Sequence, residues 1–187
     1  MLQAKDIPNL ISITRILLTV PVVLALLNRS FDWALLLFVL AGISDGVDGF
    51  LAKQFHWQSR LGSLLDPLAD KLLLVSSSLC LAWLGLLPVW LVAAVMLRDL
   101  IIVTGATLWN FRIGRLQAEP TIVSKINTFV QIVLVLSVVA DQALGILPAG
   151  VVPALVWITL ATTVSSGIDY VWTWSKRARE AVNGIKH

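Results

Sequence analysis

The chain has 187 residues, 58% of them hydrophobic and only 13% charged, with a net charge of +3. Water-soluble domains carry about 25% charged residues, so this composition excludes one and points to a polytopic membrane protein, read here as one domain over residues 1–187. A single cysteine, Cys80, excludes an internal disulfide framework and a cysteine-cluster metal site, and within its apolar run it reads as a small buried hydrophobe. The basic residues sit beside apolar runs, so membrane lipids with anionic headgroups are the expected partners, not nucleic acid.

Six apolar runs follow one another at 9–28, 32–53, 61–84, 88–111, 122–143 and 149–175. Each has about 20 residues or more, enough to cross a hydrocarbon core of about 30 Å. The first run follows Pro8 and carries Arg15 without a convincing cleavage site, so it reads as a membrane helix and not as a signal peptide. Turn chemistry separates the runs: Asn28-Arg29-Ser30, then His56 to Arg60, Gly85 with Pro88, Gly114 with Pro120, and Gly145 with Pro148 and Gly150. The second run carries Asp45 and Asp48, the third Asp66 and Asp70, the fourth Arg98 and Asp99, the fifth Lys125 and the sixth Asp169. The last run leads into a basic tail, 176–187, that reads as a membrane-surface anchor. The predicted fold is therefore an all-α integral membrane protein with six transmembrane helices.

Charge sets its orientation. Lys5, Lys53, Arg60, Arg112, Arg115, Lys176, Arg177, Arg179 and Lys186 fall on one side of these spans, and only Arg29 on the other. By the positive-inside rule both termini are cytoplasmic. Most tryptophans lie near span ends and read as an interfacial belt, whereas Trp157 lies deeper and reads as packing.

The four aspartates carry the most information. An ionised carboxylate in hydrocarbon costs roughly 3 kcal/mol on insertion scales, so four within residues 45–70 need a compensating partner. A hard divalent cation with oxygen ligands is the natural one. Asp45 and Asp48 are three residues apart and share a helix face, which Ala52 continues; Gly62, Asp66 and Asp70 share another. A short turn across 53–61 lets the two acidic faces meet at one end of a hairpin. Gly49 and Gly62 lack a Cβ, which leaves room for a ligand or a second backbone.

The string Asp45-x2-Asp48-Gly49-x2-Ala52-Lys53-x8-Gly62-x3-Asp66-x3-Asp70 resembles the signature of the CDP-alcohol phosphatidyltransferases, with Lys53 where that family has arginine. Lysine keeps the charge but loses the planar fork that grips phosphate bidentately. The resemblance extends over about residues 7–175. It implies a membrane enzyme that moves a phosphatidyl group from CDP-diacylglycerol to an alcohol and releases CMP. It further implies Mg²⁺ or Mn²⁺, as a pair of ions, on Asp45, Asp48, Asp66 and Asp70, with Asp70 as the general base. Asn9, Arg15, Asp45, Gly49, Ala52, Lys53, Gly62 and Asp66 would bind the donor, and Arg98 and Lys125 an acceptor phosphate. The segment Pro120-Thr121-x2-Ser124-Lys125-x-Asn127-Thr128 and the Arg98-Asp99 pair are similar to the branches that use phosphatidylglycerol or glycerol 3-phosphate as acceptor. A homodimer in the inner (cytoplasmic) membrane, its site facing the cytoplasm, is the matching expectation. Two other classes compete. A divalent-cation transporter would also place carboxylates in a membrane. An inactive scaffolding relative would explain the departure at Lys53.

Overall fold

A computed structural model describes residues 7–54, 62–112 and 121–184, with side chains over 11–47, 68–105 and 121–173. The described residues form six helices and no strand: α1 (Ile7–Leu27), α2 (Phe31–Gln54), α3 (Gly62–Trp83), α4 (Val89–Arg112), α5 (Ile122–Leu144) and α6 (Val151–Gly184). Five of the six fall within about two residues of the expected runs. The sixth continues to Gly184 because Lys176, Arg177, Ala178, Arg179 and Glu180 are all strong helix formers, whatever their hydropathy.

The described helix ends are closed by local chemistry. After α1 the Ser30 amide donates to the Ala25 carbonyl and the Arg29 amide to that of Leu26, with Arg29 in the left-handed region at φ 56°. Gly85, at φ 75°, does the same after α3, where the Leu86 amide donates to Leu81. Thr121 caps α5, its Oγ1 accepting the Ser124 amide at 3.2 Å. The connections expected at 56–60 and 114–120 lie outside the described residues.

The helices form two compact units. In the first, α1 packs against both α2 and α3, joined by the C-terminal part of α5. Ser12, Arg15, Val22 and Leu26 make the buried stripe of α1; Ala34, Phe38 and Ala41 that of α2; Leu74, Ser77 and Leu81 that of α3. Asp45 extends the α2 stripe by one turn and Asp70 precedes the α3 stripe by one turn, so helical periodicity alone aims both acids at α1. In the second unit α4 packs against α6, with the N-terminal part of α5. Leu91 and Arg98 line one stripe, and Val156, Thr159, Thr163 and Ser166 face inward from α6.

Polarity runs opposite to that of a soluble protein. Serines, threonines, Asn127, Gln131 and two arginines are buried, whereas Leu17, Phe129 and Ile168 are each about 65% exposed. Such a surface suits hydrocarbon, and small polar residues between helices serve as adhesive there. α5, and α6 over Val151–Thr173, are long and apolar enough to cross a membrane. Cys80 is buried, as expected. Trp157 differs from expectation: it is exposed on α6 and its ring lies 5.7 Å from that of Trp90, tilted by 38°. Aromatic pairs favour such offset arrangements, and a bilayer-facing surface tolerates them.

Candidate functional site

Arg15 gathers the acids of the first unit. Its Nη1 donates to Asp70 Oδ1 at 2.5 Å and lies 2.6 Å from Asp45 Oδ1. The arginine side chain is only 1% exposed, while those of Asp45 and Asp70 are 51% and 49% exposed. The guanidinium therefore reaches the carboxylates from inside the bundle and leaves their outer faces open. α1 is the element that makes this possible, since it contacts both acid-bearing helices. Two oxygens from separate helices converging on one cationic atom form a donor set suited to a hard cation.

The remaining signature positions sit where the expected helices require. Asp48, Gly49, Ala52 and Lys53 lie in the last turns of α2, and Gly62 and Asp66 in the first turns of α3. Asn9 lies in the first turn of α1. The side chains of all seven are outside the described residues. Among the described residues, no three acidic, histidine or cysteine side chains form a metal-binding group.

Arg98 anchors the second unit. It is 7% exposed. Its Nη1 donates to Asp99 Oδ1 at 3.0 Å, its Nη2 to Ser124 Oγ at 2.5 Å, and its Nε to Ser166 Oγ at 3.2 Å; Nη2 also donates to Ser166. Lys125, the next residue after Ser124, is exposed on α5. The two expected acceptor cations differ in setting: Arg98 is buried and multiply bonded, whereas Lys125 is exposed. Sequence reading did not anticipate Ser166 as a partner, because it stands 68 residues from Arg98 and only packing joins them. Asn127 was singled out in the sequence, but not its partners Thr162 and Thr163, from which its Oδ1 accepts at 2.9 Å each. Polar residues spaced three and four apart on α5 (Ser124, Asn127, Gln131) were the available signal.

Between α4 and α6 an open groove of about 670 Å³ is lined by Leu97, Ile101, Val164, Ile168 and Trp172, with Arg98 and Gly167 also in its wall. A Cβ on Gly167 would lie 3.9 Å from Arg98 Cγ, so the aliphatic stem of the arginine packs beside this glycine. The lining is apolar and suits hydrocarbon.

Residues 5–165 match the family described as CDP-alcohol phosphatidyltransferase. The chain is 32% identical to a cardiolipin synthase (CMP-forming) of Rattus norvegicus, over 95% of this chain and 64% of the relative. It is 33% identical to the cardiolipin synthase (CMP-forming) of Homo sapiens, over 88% of this chain and 60% of the relative. It is 31% identical to a CDP-diacylglycerol–glycerol-3-phosphate 3-phosphatidyltransferase of Bacillus subtilis, over 88% and 93%. The chain therefore spans less than two thirds of the length of the mammalian relatives and nearly all of the bacterial one. These names describe transferases and do not favour the reading as a cation transporter.

Proposed function

The chain belongs to the CDP-alcohol phosphatidyltransferase family, and from that premise we propose that it transfers the phosphatidyl group of CDP-diacylglycerol to a glycerol-type alcohol and releases CMP. The observation that carries this reading is the convergence of Asp45 and Asp70, from two helices, on one cationic atom. The acceptor hydroxyl oxygen forms a bond to the phosphatidyl phosphorus, the bond from that phosphorus to the bridging oxygen breaks, and CMP leaves with the electron pair. Asp70 takes the hydroxyl proton, and its half-exposed carboxylate is open to an acceptor. Asp45, Asp48, Asp66 and Asp70 would hold Mg²⁺ or Mn²⁺. A pair of such ions, when bound, neutralises charge on the pyrophosphate. Asn9, Arg15, Gly49, Ala52, Lys53 and Gly62 contribute to the donor site in this reading, and Arg98 and Lys125 to recognition of an acceptor phosphate.

Phosphatidylglycerol is the acceptor we favour. The open apolar groove between α4 and α6 supports a lipidic substrate, since acyl chains favour apolar surface. The Bacillus relative supports glycerol 3-phosphate as the second reading. In both, all six helices cross the inner (cytoplasmic) membrane as one domain, both chain ends are cytoplasmic, and the protein acts as a homodimer.

The test is product identification. Purified protein with CDP-diacylglycerol and Mg²⁺ or Mn²⁺ is given each acceptor alone, and lipids are read by mass spectrometry. Cardiolipin from phosphatidylglycerol is the expected product; no CMP release with either acceptor refutes the reading. Asp70→Asn is expected to lower turnover by about 10²-fold or more, the usual contribution of a general base. Full turnover in that variant removes Asp70 from the role.

A further inference from the structure

Arg15 places a positive charge between Asp45 and Asp70, two of the residues that would hold a metal ion. Its Nη1 is 2.6 Å from one Oδ1 and 2.5 Å from the other. A divalent ion taking these same two oxygens would need ligand distances of about 2.0–2.6 Å, which occupy the space Nη1 now fills. Two cations do not share one position, so an ion seated between these two oxygens displaces the guanidinium, whereas an ion on the open outer faces of the carboxylates does not.

We propose that Arg15 is a displaceable internal counter-cation. It offsets one of the two negative charges of Asp45 and Asp70 and ties α2 and α3 to α1, and it surrenders both Oδ1 oxygens when a divalent ion takes them. The proposal rests on the reading of Asp45 and Asp70 as metal ligands. Burial gives the exchange its consequence. The arginine side chain is 1% exposed, and a buried guanidinium stripped of its anions is unstable until another anion meets it. The released Arg15 is thereby primed for an anionic group such as a pyrophosphate. Metal entry and anion binding then favour one another, and such coupling is reciprocal.

The experiment measures Mn²⁺ binding by electron paramagnetic resonance on the purified full chain without lipid substrate. Arg15→Gln removes the competitor and is expected to bind Mn²⁺ at least 10-fold more tightly than the unaltered protein. Metal-free Arg15→Gln is expected to melt at a lower temperature, and Mn²⁺ to raise that temperature by more than in the unaltered protein. Equal or weaker Mn²⁺ binding by a folded Arg15→Gln overturns the proposal. A second measurement needs no such variant: the guanidinium nitrogen resonance of Arg15, assigned by its loss in Arg15→Lys, is followed as Mg²⁺ is added to the unaltered protein. A shift at saturation supports displacement, and an unmoved resonance overturns it. Asp45→Asn separates the two layers of inference. It is expected to abolish Mn²⁺ binding, and unchanged binding there refutes the metal reading itself, together with what rests on it.

Discussion

Single side chains decide the chemistry of this protein, and they do so by being charged where charge is costly. Arg15 and Arg98 are both buried; Arg15 meets carboxylates of two other helices, and Arg98 meets the adjacent Asp99 carboxylate and serine hydroxyls of α5 and α6. Asp45 and Asp70 were legible as members of two acidic helix faces expected to meet, because spacing places Asp45 with Asp48 and Asp70 with Asp66. Their shared contact with Arg15 was not legible, since a separation of 55 residues between Arg15 and Asp70 carries no local signal. Ser166 tests the accounting at Arg98. Hydrogen bonds to charged groups contribute about 1.5–3 kcal/mol, and Ser166 accepts from both Nε and Nη2. Ser166→Ala is expected to destabilise the protein by about 2 kcal/mol in a detergent unfolding titration. Ser124→Ala removes one such bond and is expected to cost less.

The helices themselves were the most readable feature. Runs of apolar residues long enough for a membrane have few alternatives, and Gly85, Gly145 and the Asn28-Arg29-Ser30 turn mark their ends. The one boundary misjudged, that of α6, shows why hydropathy is an incomplete guide. Apolar character stops near residue 175, whereas helix propensity does not. The groove between α4 and α6 was hidden for a different reason: it depends on which faces meet and on the small Gly167 beside Arg98. Gly167→Leu keeps the helix but fills part of that groove. The expected outcome is at least a several-fold loss of turnover with phosphatidylglycerol and little change with glycerol 3-phosphate. Equal losses with both acceptors would remove the groove from lipid recognition.

Across the described residues of both units, exposed large apolar side chains and buried serine, threonine, asparagine and arginine describe a protein made for hydrocarbon. The proposed orientation rests on the distribution of lysine and arginine, nine against one, and is open to direct measurement. In a Cys80→Ser background, cysteines placed at Lys5 and at Lys186 are expected to react with a membrane-impermeant maleimide only in inside-out vesicles. A cysteine at Arg29 is expected to react only in right-side-out vesicles. The opposite pattern would turn the aspartates toward the outer face, away from cytoplasmic nucleotide.

The length of α6 has a mechanical outcome. Its 34 residues make a rod about 51 Å long, against a hydrocarbon thickness of about 30 Å. Were Val151–Thr173 to cross the hydrocarbon, the helix continuing to Gly184 would reach about 16 Å past the lipid boundary and hold a body fused at Gly184 off the surface. An energy-transfer pair between that point and the headgroup layer would report the standoff, and two glycines inserted after Lys176 would collapse it.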